Sequence, residues 1–419
     1  MIGYFLSHTP LPKAPASLLS HVRQCASDIE FVQISQCSGY VRNNGVTHSF
    51  NALSTKIGTG SFSVEPPKAV GMAMSRGQRL YQEDAVCAKV LNLPLPKHAH
   101  SPHSSYIRDT QCAFFGIFDG HGGSYVSSYL RDHLAGTIER VSNRDWTLID
   151  YFRVYGNYFP ESKHSHDADA EEDMNLHDRL KLAFLKADKK TITDTQNRGY
   201  LCGSTASILL LQSLDDPPSP YAFSRRLRLS TAHVGDTVVL LVKAHSGKAE
   251  RLTLDDHADN SGEVERLKGF RGALVQDSYG ELRFLGQLAN TRSIGDAKYK
   301  SWGVTSEPHT SAMDVDGSAY SMAILISDGV TSAMGVQEVA DVASTRFGQN
   351  VARGKGAQAA AQAVVDFAVD VGADDNCSAL VVPLPGFNTA GKCRDRTRDL
   401  RDYRLQLAND PSNLRQKRQ

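Results

Sequence analysis

The stretch Phe114–Gly123, FFGIFDGHGG, decides how this chain is read. An apolar run with the look of a buried strand stops abruptly at Asp119-Gly120. A strand end sets the Asp119 carboxylate at the edge of a sheet, facing solvent. Gly120 has no Cβ, so the backbone can turn sharply there and its carbonyl can approach an ion. The same form returns in AILISDGV at 323–330, where Asp328 closes the run. Two further acidic sites follow strand or turn signals: Glu83-Asp84 in RGQRLYQEDA (76–85) and Asp375 in GADDNCSALVV (372–382). A single Asp-Gly is ordinary turn chemistry. Several such ends brought together make a cage of oxygen ligands.

Oxygen-only ligands, without Cys or paired His, select Mg²⁺ or Mn²⁺ over Zn²⁺ or copper. Carboxylates that converge without a cation repel and take up protons. Two ions about 3.5–4 Å apart hold a bridging water and lower its pKa towards neutrality, which yields a nucleophile for phosphorus. Phosphate oxygens suit the bidentate fork of an arginine. Arg79, four residues before Glu83, is the candidate, and Arg76 competes with it. The leaving alkoxide needs a proton, and His121, two residues after Asp119, can supply it. The alternative role for His121 is support of Asp119.

Further apolar runs bounded by Gly and Asp read as strands: Ala206–Leu211, Leu227–His233, Val238–Val242, Met322–Ile326 and Ala379–Val382. Helical spacing links Val126, Leu130, Leu134 and Ile138, and again Leu176, Leu180, Phe184 and Ala187. The Ala-rich stretch 357–369 is helical by propensity. Hairpins outnumber βαβ units, which predicts an α+β fold of antiparallel or mixed sheets with helices packed outside. Residues 1–65 read as an extension, 66–385 as the catalytic domain and 386–419 as a basic polar tail. Residues 93–105, 157–173 and 214–220 read as surface excursions.

The 419 residues carry 46 basic and 46 acidic side chains, so no global positive field gathers nucleic acid. The seven cysteines form no C-x-x-C pair, which argues for a reduced intracellular compartment over a disulfide framework. No apolar run is long enough to span a membrane. The first residues, with Lys13, Arg23 and no acid before Asp28, have some look of a mitochondrial transit segment. Mitochondrial and cytoplasmic locations are both expected on this basis.

Taken in order, RGQRLYQEDA, FFGIFDGHGG, LCGSTASILLL (201–211), STAHVGDTVVLL (230–241), LTLDDHADN (252–260), LANTRSIGDAKYK (288–300), SDGV (327–330) and ADDNCSALVV (373–382) resemble the metal-dependent protein phosphatase family, type 2C. The resemblance runs from about Val70 to Pro385. It implies an α-β-β-α sandwich of two antiparallel sheets and a protein serine/threonine phosphatase that uses a metal-bridged hydroxide, with two Mg²⁺ or Mn²⁺ ions per subunit. In that scheme Asp119 bridges both ions, Asp328 and Asp375 complete one site, and Glu83 with the Gly120 carbonyl complete the other. Arg79 binds the substrate phosphate and His121 is the general acid. Asp84, Thr205, Asp236 and Asn376 are supporting groups, and Asp236 with Asp328 holds a weaker third ion. Asp256 and His257 form the family's Asp-His pair, while Arg292 and Asp296 belong to the flap and core region. Phosphoprotein substrates and a monomer are implied.

Two departures stand out. Many members read S-D-G-x-x-D where this chain has SDGVTS, so Ser332 replaces an acid and the third ion lacks a ligand. The segment between Asp119 and Thr205 is also long for the family. A pseudophosphatase would have lost metal ligands, yet Glu83, Asp119, Asp328 and Asp375 are all retained. A two-metal enzyme for nucleotides or small phosphates is the other alternative. No G-x-x-x-x-G-K string supports an NTPase.

Overall fold

The computed structural model describes residues 70–93, 111–156, 174–215, 219–268, 274–276, 282–286 and 288–410, and the backbone of 29–34, 39–43, 46–55 and 58–63. The last four segments pair as an antiparallel sheet of their own.

Ten strands build the main body. They are β1 (Gly71–Ser75), β2 (Ala85–Asn92), β3 (Gln111–Phe118), β4 (Ala206–Ser213), β5 (Arg226–Val234), β6 (Val238–Lys243), β7 (Ala249–Arg251), β8 (His309–Asp316), β9 (Tyr320–Ile326) and β10 (Cys377–Pro383). The first sheet has the order β8-β5-β4-β3-β2 and the second β7-β6-β9-β10-β1, with antiparallel pairing throughout.

The long apolar runs have a simple cause: both faces of each inner strand are buried. In β3, Phe115 and Ile117 enter the core between the sheets, while Phe114 and Phe118 enter the core under the first helix pair. Leu209 and Leu211 of β4 divide from Ile208 and Leu210 in the same way. In the second sheet Ala323 and Leu325 face inward, and Met322, Ile324 and Ile326 face the other helices. Period-two alternation therefore sorts side chains between two cores rather than between core and water.

Helices α1 (Tyr125–Arg140) and α2 (Leu176–Arg198) cover the first sheet. Asn175 caps α2 by accepting from the Asp178 amide, and Gly199 ends it at φ 68°. Helices α3 (Val336–Asn350) and α4 (Gly356–Asp370) cover the second sheet. The architecture is the expected α-β-β-α sandwich. Periodicity alone had not marked the edge strands. In β8, HTSAMDVD, every position is intermediate or exposed, and its apolar content is too low to signal a strand.

Residues 386–410, expected as a basic polar tail, are folded onto α3. Helix α5 (Arg398–Asn409) sends Arg404 to Glu338, at 2.9 Å, and Asp341 accepts from the amides of Arg396 and Thr397. Arg404 is thus taken up by an acid of the body and Arg401 by Asp395 of the tail itself, at 2.6 Å, which hydropathy could not disclose. The excursions expected at 157–173, and at 93–105 beyond residue 93, lie outside the described residues, as do residues 1–28.

Candidate active site

Three carboxylates meet where the two sheets abut. Asp119 follows β3 of the first sheet, and Asp328 follows β9 of the second. Asp236 lies in the turn by which the chain passes from β5 to β6, and so from one sheet to the other. One oxygen from each lies within 4.8 Å of the others.

Local structure fixes each acid. Ser204 Oγ and the Thr205 amide donate to the Asp119 carbonyl at 3.0 and 2.9 Å, and Thr205 Oγ1 accepts from the Asp119 amide at 3.3 Å. Gly120 admits no side chain, because a Cβ there would stand 2.4 Å from the Glu83 carbonyl oxygen. The Asp236 turn needs Gly235 at φ 102°, and Asp256 clamps it by accepting from the Gly235 amide at 2.8 Å. His257 Nε2 bonds Asp236 at 3.1 Å. Ser332 spends its hydroxyl on the Gly329 carbonyl at 2.9 Å.

The loop 76–84 is laid over the start of β10 by Asn376. Its Nδ2 donates to the carbonyls of Arg76 and Tyr81, and its Oδ1 accepts from the Glu83 amide at 2.7 Å. Ser127 of α1 donates to the Glu83 carbonyl. Arg79 donates to Asp375 at 2.7 Å, which ties the phosphate-binding candidate to a metal-ligand candidate. Arg76 instead donates to the Leu80 carbonyl. Asp84 is buried beneath the group and accepts from Ser378 at 2.6 Å.

The electrostatics are those of a cluster that lacks counter-charge. Burial, then the charges of Asp84, Asp328 and Asp236, push Asp119 well above the usual carboxylate range. Burial and the Asp236 charge raise Asp328 to about 6. Burial raises Asp84 to about 7, against the hydroxyls of Ser378 and Ser327. Burial also works on Asp236, but the bond and charge of His257 outweigh it and leave that carboxyl lowered. The buried Oδ1 atoms of Asp84 and Asp236 have no hydrogen-bond partner. Hard oxygen donors, unpartnered and buried, fit a divalent cation of the Mg²⁺ or Mn²⁺ class.

His121 leads into a second arrangement. Its Nε2 lies 2.8 and 3.0 Å from the two oxygens of Asp296. Burial lowers the imidazole, but the Asp296 charge and hydrogen bond outweigh it and raise it. The resemblance assigns Asp296 to the flap and core region and gives it no contact with His121. Its local signal is Gly before Asp, in SIGD as in HVGD, and differs from the Asp-Gly that closes a strand at Asp119 and Asp328. Ser127 and Ser378 were likewise missed as site support, since a lone Ser carries no pattern.

A family model described as Protein phosphatase 2C matches residues 94–377, more than half of the chain. Protein phosphatase 2C homolog 4 of Schizosaccharomyces pombe is 30% identical over 346 residues, which cover 80% of this chain and 85% of that protein. The mitochondrial Protein phosphatase 1K of Xenopus laevis is 26% identical over 275 residues, 65% of this chain and 60% of that protein. Among solved structures, serine-threonine phosphatase 2C from Toxoplasma gondii superposes with a TM-score of 0.54 at 18% identity, over 77% of this chain and 96% of that chain. That last likeness speaks to the fold.

Proposed function

The chain belongs to the protein phosphatase 2C family, and from that premise we propose that it hydrolyses phosphoserine and phosphothreonine in phosphoproteins at a two-metal site. The observation that carries this reading is the meeting of Asp119, Asp236 and Asp328, drawn from both sheets, with the buried Oδ1 of Asp236 left unpartnered.

Asp119, Asp328, Asp375, Glu83 and the Gly120 carbonyl are the groups proposed to hold two Mg²⁺ or Mn²⁺ ions. When bound, such ions make water acidic enough to attack phosphorus at neutral pH and offset charge on the phosphoryl oxygens. Arg79 presents its remaining N–H groups to the phosphate, being half exposed while one nitrogen rests on Asp375. His121 gives a proton to the departing serine or threonine oxygen. Ser204, Thr205 and Asn376 keep the Asp119 and Glu83 backbones in place, so alignment is set before substrate arrives. Ser332 adds no acid beside Asp236 and Asp328, so a third ion is proposed to bind weakly at most.

The test is hydrolysis of a phosphothreonine peptide with Mn²⁺, with and without chelator, by wild type and Asp119→Ala. Chelator-sensitive turnover lost in the variant supports the reading. Absence of such turnover in wild type removes it, and turnover that survives in the variant removes the metal assignment. Among the described residues no helix is long and apolar enough to cross a membrane. A reducing compartment, mitochondrial or cytoplasmic, is proposed; imaging fusions with and without residues 1–65 distinguishes the two.

A further inference from the structure

We propose that Asp296 is the positioning residue for His121, holding the ring by Nε2 so that Nδ1 faces the leaving group. The inference rests on the reading of His121 as the general acid. A carboxylate only accepts, so Nε2 at 2.8 Å from Asp296 must carry its proton towards it. That leaves Nδ1 as the atom that acts on substrate. Among the described residues Nδ1 has no hydrogen-bond partner, and the His121 side chain is 39% exposed against 5% for Asp296.

The surroundings show that this contact is built. Asp296 has φ 50°, a left-handed conformation that residues with a Cβ seldom adopt and that persists only when neighbours enforce it. Those neighbours are present. Ser293 Oγ donates to Asp296 Oδ2 at 2.6 Å. The Gly295 amide donates to Asp188 of α2 at 2.7 Å. Lys300, fully buried, donates to the Ser293 carbonyl at 2.8 Å and pairs with Asp188 at 3.0 Å. A buried ion pair thus anchors the turn that aims Asp296. Gly203 clears the way: a Cβ there would stand 2.3 Å from Asp296 Oδ2 and 2.6 Å from His121 Nε2. Such convergence on one contact is the pattern of a carboxylate that orients a working imidazole.

Water attacks phosphorus and gives up a proton to solvent. The bond from phosphorus to the ester oxygen breaks, its electron pair staying on that oxygen. The Nδ1 proton of the imidazolium moves to it, and the neutral ring, still bonded through Nε2–H, is reprotonated by solvent. An alkyl leaving group needs this proton and p-nitrophenolate does not.

The experiment compares kcat and KM at one pH on a phosphothreonine peptide and on p-nitrophenyl phosphate. It uses the Mg²⁺-loaded full chain as wild type, Asp296→Asn, Asp296→Ala, His121→Ala and the double alanine variant. Asp296→Ala should lower kcat on the peptide by roughly tenfold or more, within the approximately 10²-fold a general acid supplies, with a much smaller loss on p-nitrophenyl phosphate and KM little moved. The double variant should be no slower than His121→Ala alone. Equal losses on both substrates, or additive losses, overturn the proposal. If His121→Ala itself shows no leaving-group dependence, the general-acid reading fails instead. Nitrogen-15 spectra of wild-type histidines provide a measurement independent of folding of the variants. The neutral His121 ring should carry its proton on Nε2, and a proton on Nδ1 overturns the proposal.

Discussion

Two groups of three metal-competent side chains occur among the described residues, and they are opposites. Asp119, Asp236 and Asp328 form one; Asp256, Glu263 and His309 form the other. In each, the ligand atoms lie within 4.8 Å of one another. The second group is already neutralised by the protein. Arg292 donates twice to Glu263, at 2.9 and 2.7 Å, and Arg266 adds its own fork. Burial would raise Glu263, but Arg266 and Arg292 outweigh it and lower it to about 2. The first group receives no Lys or Arg among the described residues, and its one basic partner is His257 on Asp236. Asp119 and Asp328 are raised where Glu263 is lowered. An acidic cluster is therefore read as a cation site by the arginines that the fold withholds from it.

The sharpest way to break this contrast is in activity. Asp119→Ala is expected to lower kcat/KM on a phosphothreonine peptide with Mn²⁺ by about 10³-fold, the scale for removal of one preorganised electrostatic group. The matching change in the other group, Glu263→Gln, should act on stability. It leaves Arg266 and Arg292 facing a neutral amide in a buried setting, at a cost of about 3 kcal/mol in denaturant melts. Metal dependence of the remaining activity should be unaltered. A melt unchanged within about 0.5 kcal/mol would show that the carbonyls of Gly303, Thr291 and Glu307, which these arginines also contact, are enough to hold them.

How much of this contrast was legible beforehand depends on which residues carried a pattern. Asp119 and Asp328 were, because each ends a run buried on both faces and is followed by glycine, a local signal. Antiparallel sheets with helices outside followed from those same runs, and the two-sheet sandwich from the resemblance to the type 2C phosphatases. Glu263 gave none, since its meaning lies in Arg292, which is 29 residues away. Asp296 was hidden for the same reason: His121 is 175 positions off, and only the fold joins them. Edge strand β8 and the docking of α5 were missed because exposed strands and paired arginines look like loops and tails to a hydropathy reading.

A smaller effect tests the border of the site. Arg79 is shared between phosphate and Asp375, so Arg79→Ala removes a contact made in ground and transition states alike. KM for the phosphopeptide should rise about tenfold with kcat little changed. A fall in kcat alone would mean that Arg79 serves by holding Asp375.

The smallest effect is a slope, and its sign separates the two groups. Glu263 has a folded pKa of about 2 against an ordinary 4.5, so below pH 4.5 the unfolded chain binds the extra proton. Its contribution is complete above pH 4.5 and lost as pH falls towards 2. Asp328 of the first group runs the other way. Burial and the Asp236 charge hold its folded pKa at about 6 against 3.8, so between those values the folded chain binds the extra proton and stability declines as pH rises. Chelated protein should therefore gain stability up to about pH 4.5. From there to pH 6 it should lose on the order of 1 kcal/mol per pH unit, the most that one such group can impose. Saturating Mn²⁺ should abolish the decline, because a bound cation replaces the protons in the Asp119 group and leaves Glu263 untouched. Denaturant melts at half-unit pH steps, with chelator and with Mn²⁺, measure both limbs. A chelated protein whose stability still climbs through pH 6 would show that the first group, like the second, has its counter-charge built in.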